Sequence, residues 1–183
     1  MNRLPGIILN AVLIDIGWAA CVLGAAAGVA LLGPGVVALL VALHWGINRP
    51  CYGELSLIAF TTAFGLAVDS ALSASGFFSF DGATVALAPL WLVALWTNLA
   101  TAVNWCLGWM RGRLWLQSLF GAIVGPFAYY VGTRLGALEF PQPLGLTIGV
   151  LAVVWAVGLP IIYTANDLLL RRLGREAMEA RSA

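Results

Sequence analysis

The chain has 183 residues, of which 62% are hydrophobic and only 9% are charged, whereas about 25% are charged in an average soluble domain. A soluble fold of this size exposes much of its surface to water and has no room to hide so many apolar side chains. Because the net charge is only +1, composition gives no reason to expect nucleic acid or an acidic protein as a partner.

Apolar segments of about 20 residues, the length that crosses a bilayer core as a helix, recur along the whole chain. They predict an all-α fold, a polytopic transmembrane helix bundle that forms one domain of about six spans. The predicted spans cover residues 5–24, 27–46, 55–76, 85–110, 114–135 and 144–170, and a basic cytoplasmic tail follows at 171–183.

The first two spans contain polar residues that interrupt their apolar runs. Asn10 and Asp15 argue for a retained first span rather than a cleaved secretory signal, and we interpret Asp15 as a hydrogen-bonded or protonated packing residue. In span two, Gly33-Pro34-Gly35 is typical of a turn, so we expect the least regular span, either kinked at Pro34 or short and tilted. His44 is the only histidine, and we interpret it as lying at headgroup level.

Span three has small and polar residues at three- and four-residue spacing, which places them on one helix face. They are Thr61, Gly65, Asp69, Ser73 and Gly76. A carboxylate within a span costs about 2.5–3.5 kcal/mol on insertion scales, so we expect Asp69 to face the bundle interior near spans four and five. Asp69 is the candidate catalytic residue, and a structural, hydrogen-bonded role is the alternative.

Span four is rich in tryptophan and asparagine. Trp91, Asn98 and Trp105 are seven residues apart and therefore share a face of a continuous helix. A cavity lined by Asn98 and these rings would suit an apolar ligand, and ordinary packing is the alternative. The candidate ligand-binding residues are Ser73, Trp91, Asn98, Asn104 and Tyr129.

Glycine pairs at GxxxG spacing let helix backbones approach closely in lipid. They are Gly24/Gly28, Gly121/Gly125, Gly132/Gly136 and Gly145/Gly149. Packing inside the bundle is the favoured interpretation, and a ligand surface or a homo- or hetero-oligomer through these faces are the alternatives. The sequence shows no convincing internal repeat.

All nine basic residues are arginine, and their distribution predicts the orientation through the positive-inside rule. With the N-terminus inside, only Arg134 lies near the outer face, so we predict that both termini are cytoplasmic. The basic tail would then rest on anionic headgroups, and membrane lipids are the expected partners.

No nucleotide-binding loop, nucleophile elbow or metal-ligand motif is visible, so we expect no cofactor and no metal, and the sequence leaves open whether the protein is an enzyme. Three functions remain. The first is handling of a lipid or isoprenoid-like ligand in an intramembrane cavity between spans three, four and five. The second is a small proton-coupled transporter that uses Asp15 and Asp69, and the third is a non-catalytic assembly partner.

Several short motifs resemble a bacterial inner-membrane family of unknown function, domain of unknown function 2878. They are Gly65-Leu66-Ala67-Val68-Asp69 with Gly76, Pro89-Leu90-Trp91-Leu92, Leu95-Trp96, Gly121, Gly125-Pro126 with Tyr129 and Gly132, and Leu135-Gly136. The resemblance implies a multi-pass protein of the bacterial inner membrane and no particular reaction. The family pattern has Asn-His where this chain has Asn104-Trp105, which argues against proton transfer at that position.

Overall fold

The computed structural model describes residues 4–48, 53–80 and 87–182, and side chains as far as residue 172. These residues form six α-helices and one short 3-10 turn. The helices are α1 (Leu4–Ala26), α2 (Leu32–Asn48), α3 (Glu54–Ala74), α4 (Leu90–Ala102), α5 (Leu114–Leu135) and α6 (Leu144–Ser182), and the 3-10 turn is Gly108–Met110.

Four of these helices are long and apolar enough to cross a membrane, namely α1, α3, α5 and the segment Leu144–Arg172 of α6. The other two, α2 and α4, are shorter apolar helices. Long apolar side chains such as Leu39, Leu55 and Phe127 point outward, as expected where lipid replaces water. The predicted all-α bundle of membrane type is confirmed.

Predicted and observed bounds differ most in span four. Helix α5 has the predicted bounds, and α1 and α3 differ from theirs by two residues or fewer at each end. The predicted single span 85–110 is wrong: α4 is helical only from Leu90 to Ala102, and turns lead from there to the 3-10 turn. Residues 85 and 86 lie outside the described residues. Beyond residue 170, α6 continues as helix through the predicted tail to Ser182.

Helix α2 is short rather than kinked. It begins at Leu32, so Pro34 lies in the first turn, where a missing N–H costs no helical hydrogen bond. The prediction of a shortened span two is therefore confirmed, but α2 is not the least regular element. That element is α4, which has 13 residues against 17 in α2.

The helices are joined as consecutive hairpins, and the hairpins α3–α4 and α5–α6 turn in the same way. Gly76 and Gly136 follow α3 and α5 with φ of 75° and 84°, a left-handed conformation that glycine adopts without strain. Three residues further on, Ser79 and Glu139 exchange two backbone hydrogen bonds of 3.1 and 2.9 Å. The two connections are thereby fastened to each other at one end of the bundle, which we call the bridge end.

The bridge joins matching positions of the two hairpins. A residue of the first hairpin matches the residue of the second that lies 60 positions later in the chain, as Gly76 matches Gly136 (136 − 76 = 60). The same separation relates Gly65 to Gly125, Asp69 to Tyr129, Ser73 to Thr133, Ser79 to Glu139 and Phe80 to Phe140. Gly65 lies under the ring of Trp96, and Gly125 lies under the ring of Trp155. The expectation of no internal repeat overlooks this correspondence, in which three of the six pairs are identical residues and the other three share only their spacing.

Candidate functional site

Helix α4 lies at the centre of the bundle although it is the shortest of the described α-helices. Eight of its 13 residues are buried, and it packs against α1, α2 and α3. On the side of α6, Trp96 stacks on Trp155 with ring centroids 4.7 Å apart and planes 7° from parallel. A site inside this bundle therefore has α4 as one of its walls.

Asn10 of α1 holds the chain where α4 ends. Its Nδ2 donates to the carbonyl oxygen of Thr101 at 3.3 Å, and its Oδ1 accepts from the backbone N–H of Cys106 at 3.2 Å. Asn10 is only 1% exposed. Since lipid cannot satisfy free backbone groups, one carboxamide here supplies both the acceptor and the donor that an interrupted helix needs.

Two further side chains satisfy the segment after the break. The hydroxyl of Tyr163 donates to the carbonyl of Leu107 at 2.7 Å, and the side-chain amide of Gln117 donates to the carbonyl of Met110 at 2.9 Å. Tyr163 and Gln117 are both buried. The irregular segment is therefore held from α1, α5 and α6 together.

A buried polar cluster lies beside this break. His44 Nε2 is 3.2 Å from Glu54 Oε1, and His44 Nδ1 is 3.5 Å from Asn10 Nδ2. The rings of His44 and Trp105 also lie perpendicular to each other, with centroids 5.2 Å apart. His44 and Glu54 are each 1% exposed, so His44 is enclosed by the bundle, and its location at headgroup level stays a prediction. Sequence reasoning missed Glu54, and its signal is a lone carboxylate at the first residue of an apolar span.

An apolar cavity of about 740 Å³ lies between α1, α4 and α5, and we call it the groove. Its wall is formed mainly by Trp, Leu, Phe, Val and Ala side chains, with Asp15, Asn98, Cys106 and Tyr129 as polar members. Phe127 and Val124 on the wall are 64% and 40% exposed, and Asp15 on the α1 wall is also exposed. All three lie near the middle of their helices, and we take this exposed side of the groove as its mouth.

Asp15 is the only charged group among the described residues that line the groove. Within the described part of the chain, no residue hydrogen-bonds to its carboxylate, and it is exposed at the mouth. The expectation that Asp15 is a hydrogen-bonded packing residue is therefore wrong, and the protonated alternative stays a prediction. A carboxylate within a span costs about 2.5–3.5 kcal/mol on insertion scales, so a partner at the mouth would lower that cost.

Asp69 lies inside the bundle, and the expected orientation toward spans four and five is confirmed. Its side chain is fully buried. One carboxylate oxygen accepts a hydrogen bond from the Trp96 indole N–H at 2.6 Å, and the other accepts from the Tyr129 hydroxyl at 2.7 Å. The donors are thus Trp96 of α4 and Tyr129 of α5.

The Asp69 carboxylate is separated from the groove by its own donors. Trp96 and Tyr129 line the groove and Asp69 does not, because each ring stands between the carboxylate and the cavity. At the bridge end, Phe78 stacks on Tyr129 with centroids 5.0 Å apart and covers it. This geometry fixes two aromatic walls of the groove, and a catalytic role for Asp69 stays a prediction.

The predicted ligand-binding residues divide into two groups. Trp91, Asn98 and Tyr129 line the groove, whereas Ser73 and Asn104 do not. Asn104 instead exchanges two hydrogen bonds of 2.9 Å with Asn166 of α6. Trp105 does not share the face of Trp91 and Asn98, because the helix that would have placed it there ends at Ala102.

The glycine pairs serve different purposes. Gly121 and Gly125 lie against Trp155 of α6, so packing inside the bundle is confirmed for this pair. Gly28 and Gly136 have positive φ and end helices instead. A methyl group added at Gly145 or Gly149 would meet no atom of another described residue within 4 Å, and an oligomer through that face stays a prediction.

A family profile described as Protein of unknown function (DUF2878) matches residues 7–161. The matched range includes every residue of the groove wall. No curated protein and no solved structure matches the chain.

Proposed function

We propose that the chain, which belongs to the DUF2878 family of proteins of unknown function, binds the apolar chain of a lipid or isoprenoid-like molecule in the groove. The observation that carries the proposal is the groove itself, a largely apolar cavity of about 740 Å³. Ligand pockets typically have volumes of about 300–1,000 Å³ and a few polar groups on mostly apolar walls.

The groove has the shape that an elongated apolar molecule requires. Its wall on α5 extends over residues 120–132, a helix length of about 18 Å within a hydrocarbon core of about 30 Å. The side mouth between Asp15 and Phe127 lets a molecule enter from the bilayer without crossing water. The arginine distribution supports cytoplasmic termini, and the family resemblance implies a location in a bacterial inner membrane.

The walls of the groove are fixed before any ligand binds. Trp96 is held by Asp69 on one edge and by Trp155 across its face, and Tyr129 is held by Asp69 and Phe78. A preorganised wall lowers the entropic cost of binding. In this proposal Asp69 is a positioning residue for the two rings.

The test is to identify lipids that stay with the purified protein. We expect the wild type in mild detergent to retain an apolar lipid, detected by native mass spectrometry and by extraction. Ala128→Phe places a ring in the groove, since Ala128 lines it, and this variant should lose the lipid. Ile123→Phe is the matched control on the same helix, because Ile123 is 60% exposed and outside the wall.

The same lipids in equal amounts on all three proteins would contradict the proposal, because they would then come from the outer surface. Size-exclusion profiles and thermal unfolding check that both variants fold. No contact among the described residues favours the transport or assembly alternative, and both stay predictions.

A further inference from the structure

We propose that the groove selects a lipophilic cation, an ammonium group on an apolar body, whose charge is held by the carboxylate of Asp15. This inference deepens the proposed function and rests on it. It follows from the charge, the exposure and the neighbours of Asp15.

The charges of the groove are one-sided. Asp15 contributes a carboxylate, and no arginine, lysine or histidine is found among the described residues of the wall. A phosphate or carboxylate headgroup would therefore meet a negative charge and no positive one. A neutral molecule would leave the carboxylate without a partner in a low-dielectric site, whereas an ammonium group supplies the missing charge.

The position of Asp15 suits recognition rather than folding. The carboxylate is exposed at the mouth, and no described residue hydrogen-bonds to it. By contrast, Asp69 is fully buried with a donor on each oxygen. The fold therefore satisfies one intramembrane carboxylate completely and leaves the other open to the groove.

The surroundings of Asp15 complete a cation site. Trp18 lies on the next turn of α1 and lines the same wall, and aromatic rings attract ammonium groups through their faces. The backbone of α1 is fixed at this level, because Asn98 Nδ2 donates to the carbonyl of Ile14 at 2.9 Å. The carboxylate thus extends from an anchored helix beside an aromatic ring and above an apolar groove.

Three fluorescent probes with one apolar body test this selection. They are diphenylhexatriene, which is neutral, its trimethylammonium derivative and its propionate derivative. Binding is measured as energy transfer from tryptophan to probe in nanodiscs of phosphatidylcholine, and the signal that Ala128→Phe retains is subtracted as lipid background. We expect the cation to bind wild type roughly tenfold or more tightly than the neutral probe, and the anion to bind most weakly.

Variants assign the preference to Asp15. Asp15→Asn keeps the shape and removes the charge, so it should abolish the preference for the cation and leave the neutral probe unchanged. Asp15→Glu should restore the preference in part. Glu139→Gln removes an exposed carboxylate at the bridge end, outside the groove, and should change nothing.

Each outcome decides between the two proposals. Saturable binding of all probes with no preference for the cation, or a preference that survives in Asp15→Asn, overturns the selection by Asp15 and leaves the groove as a binding site. If the wild type shows no saturable energy transfer beyond that of Ala128→Phe, the proposed function itself is overturned. If Asp15→Asn does not fold, the ranking of the three probes on wild type still decides.

Discussion

The hairpins α3–α4 and α5–α6 share a framework and differ at two places. Both first helices end at a left-handed glycine, and both carry a second glycine under a tryptophan of the hairpin's other helix. The two tryptophans stack on each other, and the connections are bridged by two backbone hydrogen bonds. The differences are that Asp69 corresponds to Tyr129, and that α4 breaks at Ala102 whereas α6 is continuous.

The pair Asp69–Tyr129 shows why the hairpins α3–α4 and α5–α6 carry different residues at this matching position. Two carboxylates facing each other inside a bundle would repel, and two phenols would lack a strong acceptor. One residue of each kind forms a 2.7 Å hydrogen bond across the two halves. The break in α4, in turn, is followed by Cys106 and Leu107, which lie on the groove wall. The features that the two hairpins share thus fix how the helices pack, and the features that differ form part of the groove wall or position it.

The largest expected effect concerns topology. If the hairpins are equivalent, both bridge-end connections lie on one side of the membrane and the C-terminus lies on the other. Reporter fusions at Gly82 and at Pro141 should therefore give the same compartment, outside, and a C-terminal fusion should give the cytoplasm. Gly82 lies outside the described residues, but its connection contains Ser79 of the bridge. Different compartments for the two connections would break the comparison.

The next largest effect concerns the Asp69 pair. Asp69→Ala leaves the Trp96 indole and the Tyr129 hydroxyl without their acceptor in a buried site, at a cost of about 1–3 kcal/mol for each. Tyr129→Phe removes one donor and leaves the other bond, so its cost should be about half as large. The free energy of unfolding is measured by SDS titration in mixed micelles. Equal losses for both variants would show that Asp69 does not join the halves.

Asp69→Asn distinguishes a positioning role of the Asp69 carboxylate from a chemical role, measured by the same SDS titration. The substitution keeps the shape of the side chain and one acceptor oxygen. It replaces the other oxygen with an NH2 group, which would then face a hydrogen-bond donor, either Trp96 or Tyr129. We expect a loss of stability and of retained lipid together, because the two rings then lose their anchor. Full stability with lost function would instead favour a chemical role for the carboxylate.

A matched pair of glycine substitutions sharpens the comparison further. Gly65→Ala and Gly125→Ala would each push a methyl group into the ring of Trp96 or Trp155, and overpacking typically costs about 1–3 kcal/mol. The two losses should be similar if the halves are equivalent. Gly149→Ala is the control, since its position is open and alanine favours helix. A clear loss at only one of the two glycines would contradict the equivalence.

Asn10 tests the second difference between the hairpins. Asn10→Leu is similar in size and removes both hydrogen bonds to the break after α4, so we expect a loss of about 1–3 kcal/mol. The retained lipid should also decrease, since Cys106 and Leu107 of the groove wall follow this break. Val12→Leu, at an exposed position two residues along α1, should leave stability and lipid unchanged. Wild-type stability for Asn10→Leu would show that the break persists without the carboxamide.

Much of the frame could be predicted from sequence because its signals are local. Hydropathy located α1, α3 and α5 to within two residues, and the three- and four-residue spacing in span three placed Asp69 inward. The break in α4 had no local signal, since its partner Asn10 is 91 and 96 residues away from the two groups it binds. The exposure of Asp15 has no local signal either, because periodicity along α1 does not show which neighbouring helices leave a groove open beside it.

The smallest expected effect lies at the end opposite the bridge, where Arg111 after the break contacts Asp167 of α6. The guanidinium Nε is 2.6 Å from the carboxylate Oδ1, but the two side chains are 46% and 32% exposed. Exposed ion pairs typically contribute about 0–1 kcal/mol, because solvent screens them and ordering both side chains costs entropy. We therefore expect Arg111→Gln and Asp167→Asn each to reduce stability by less than about 1 kcal/mol, with a coupling energy in the double variant that decreases as salt is raised. A coupling energy of several kcal/mol that salt does not weaken would mean that this ion pair, rather than Asn10, fixes the segment after α4 in place against α6.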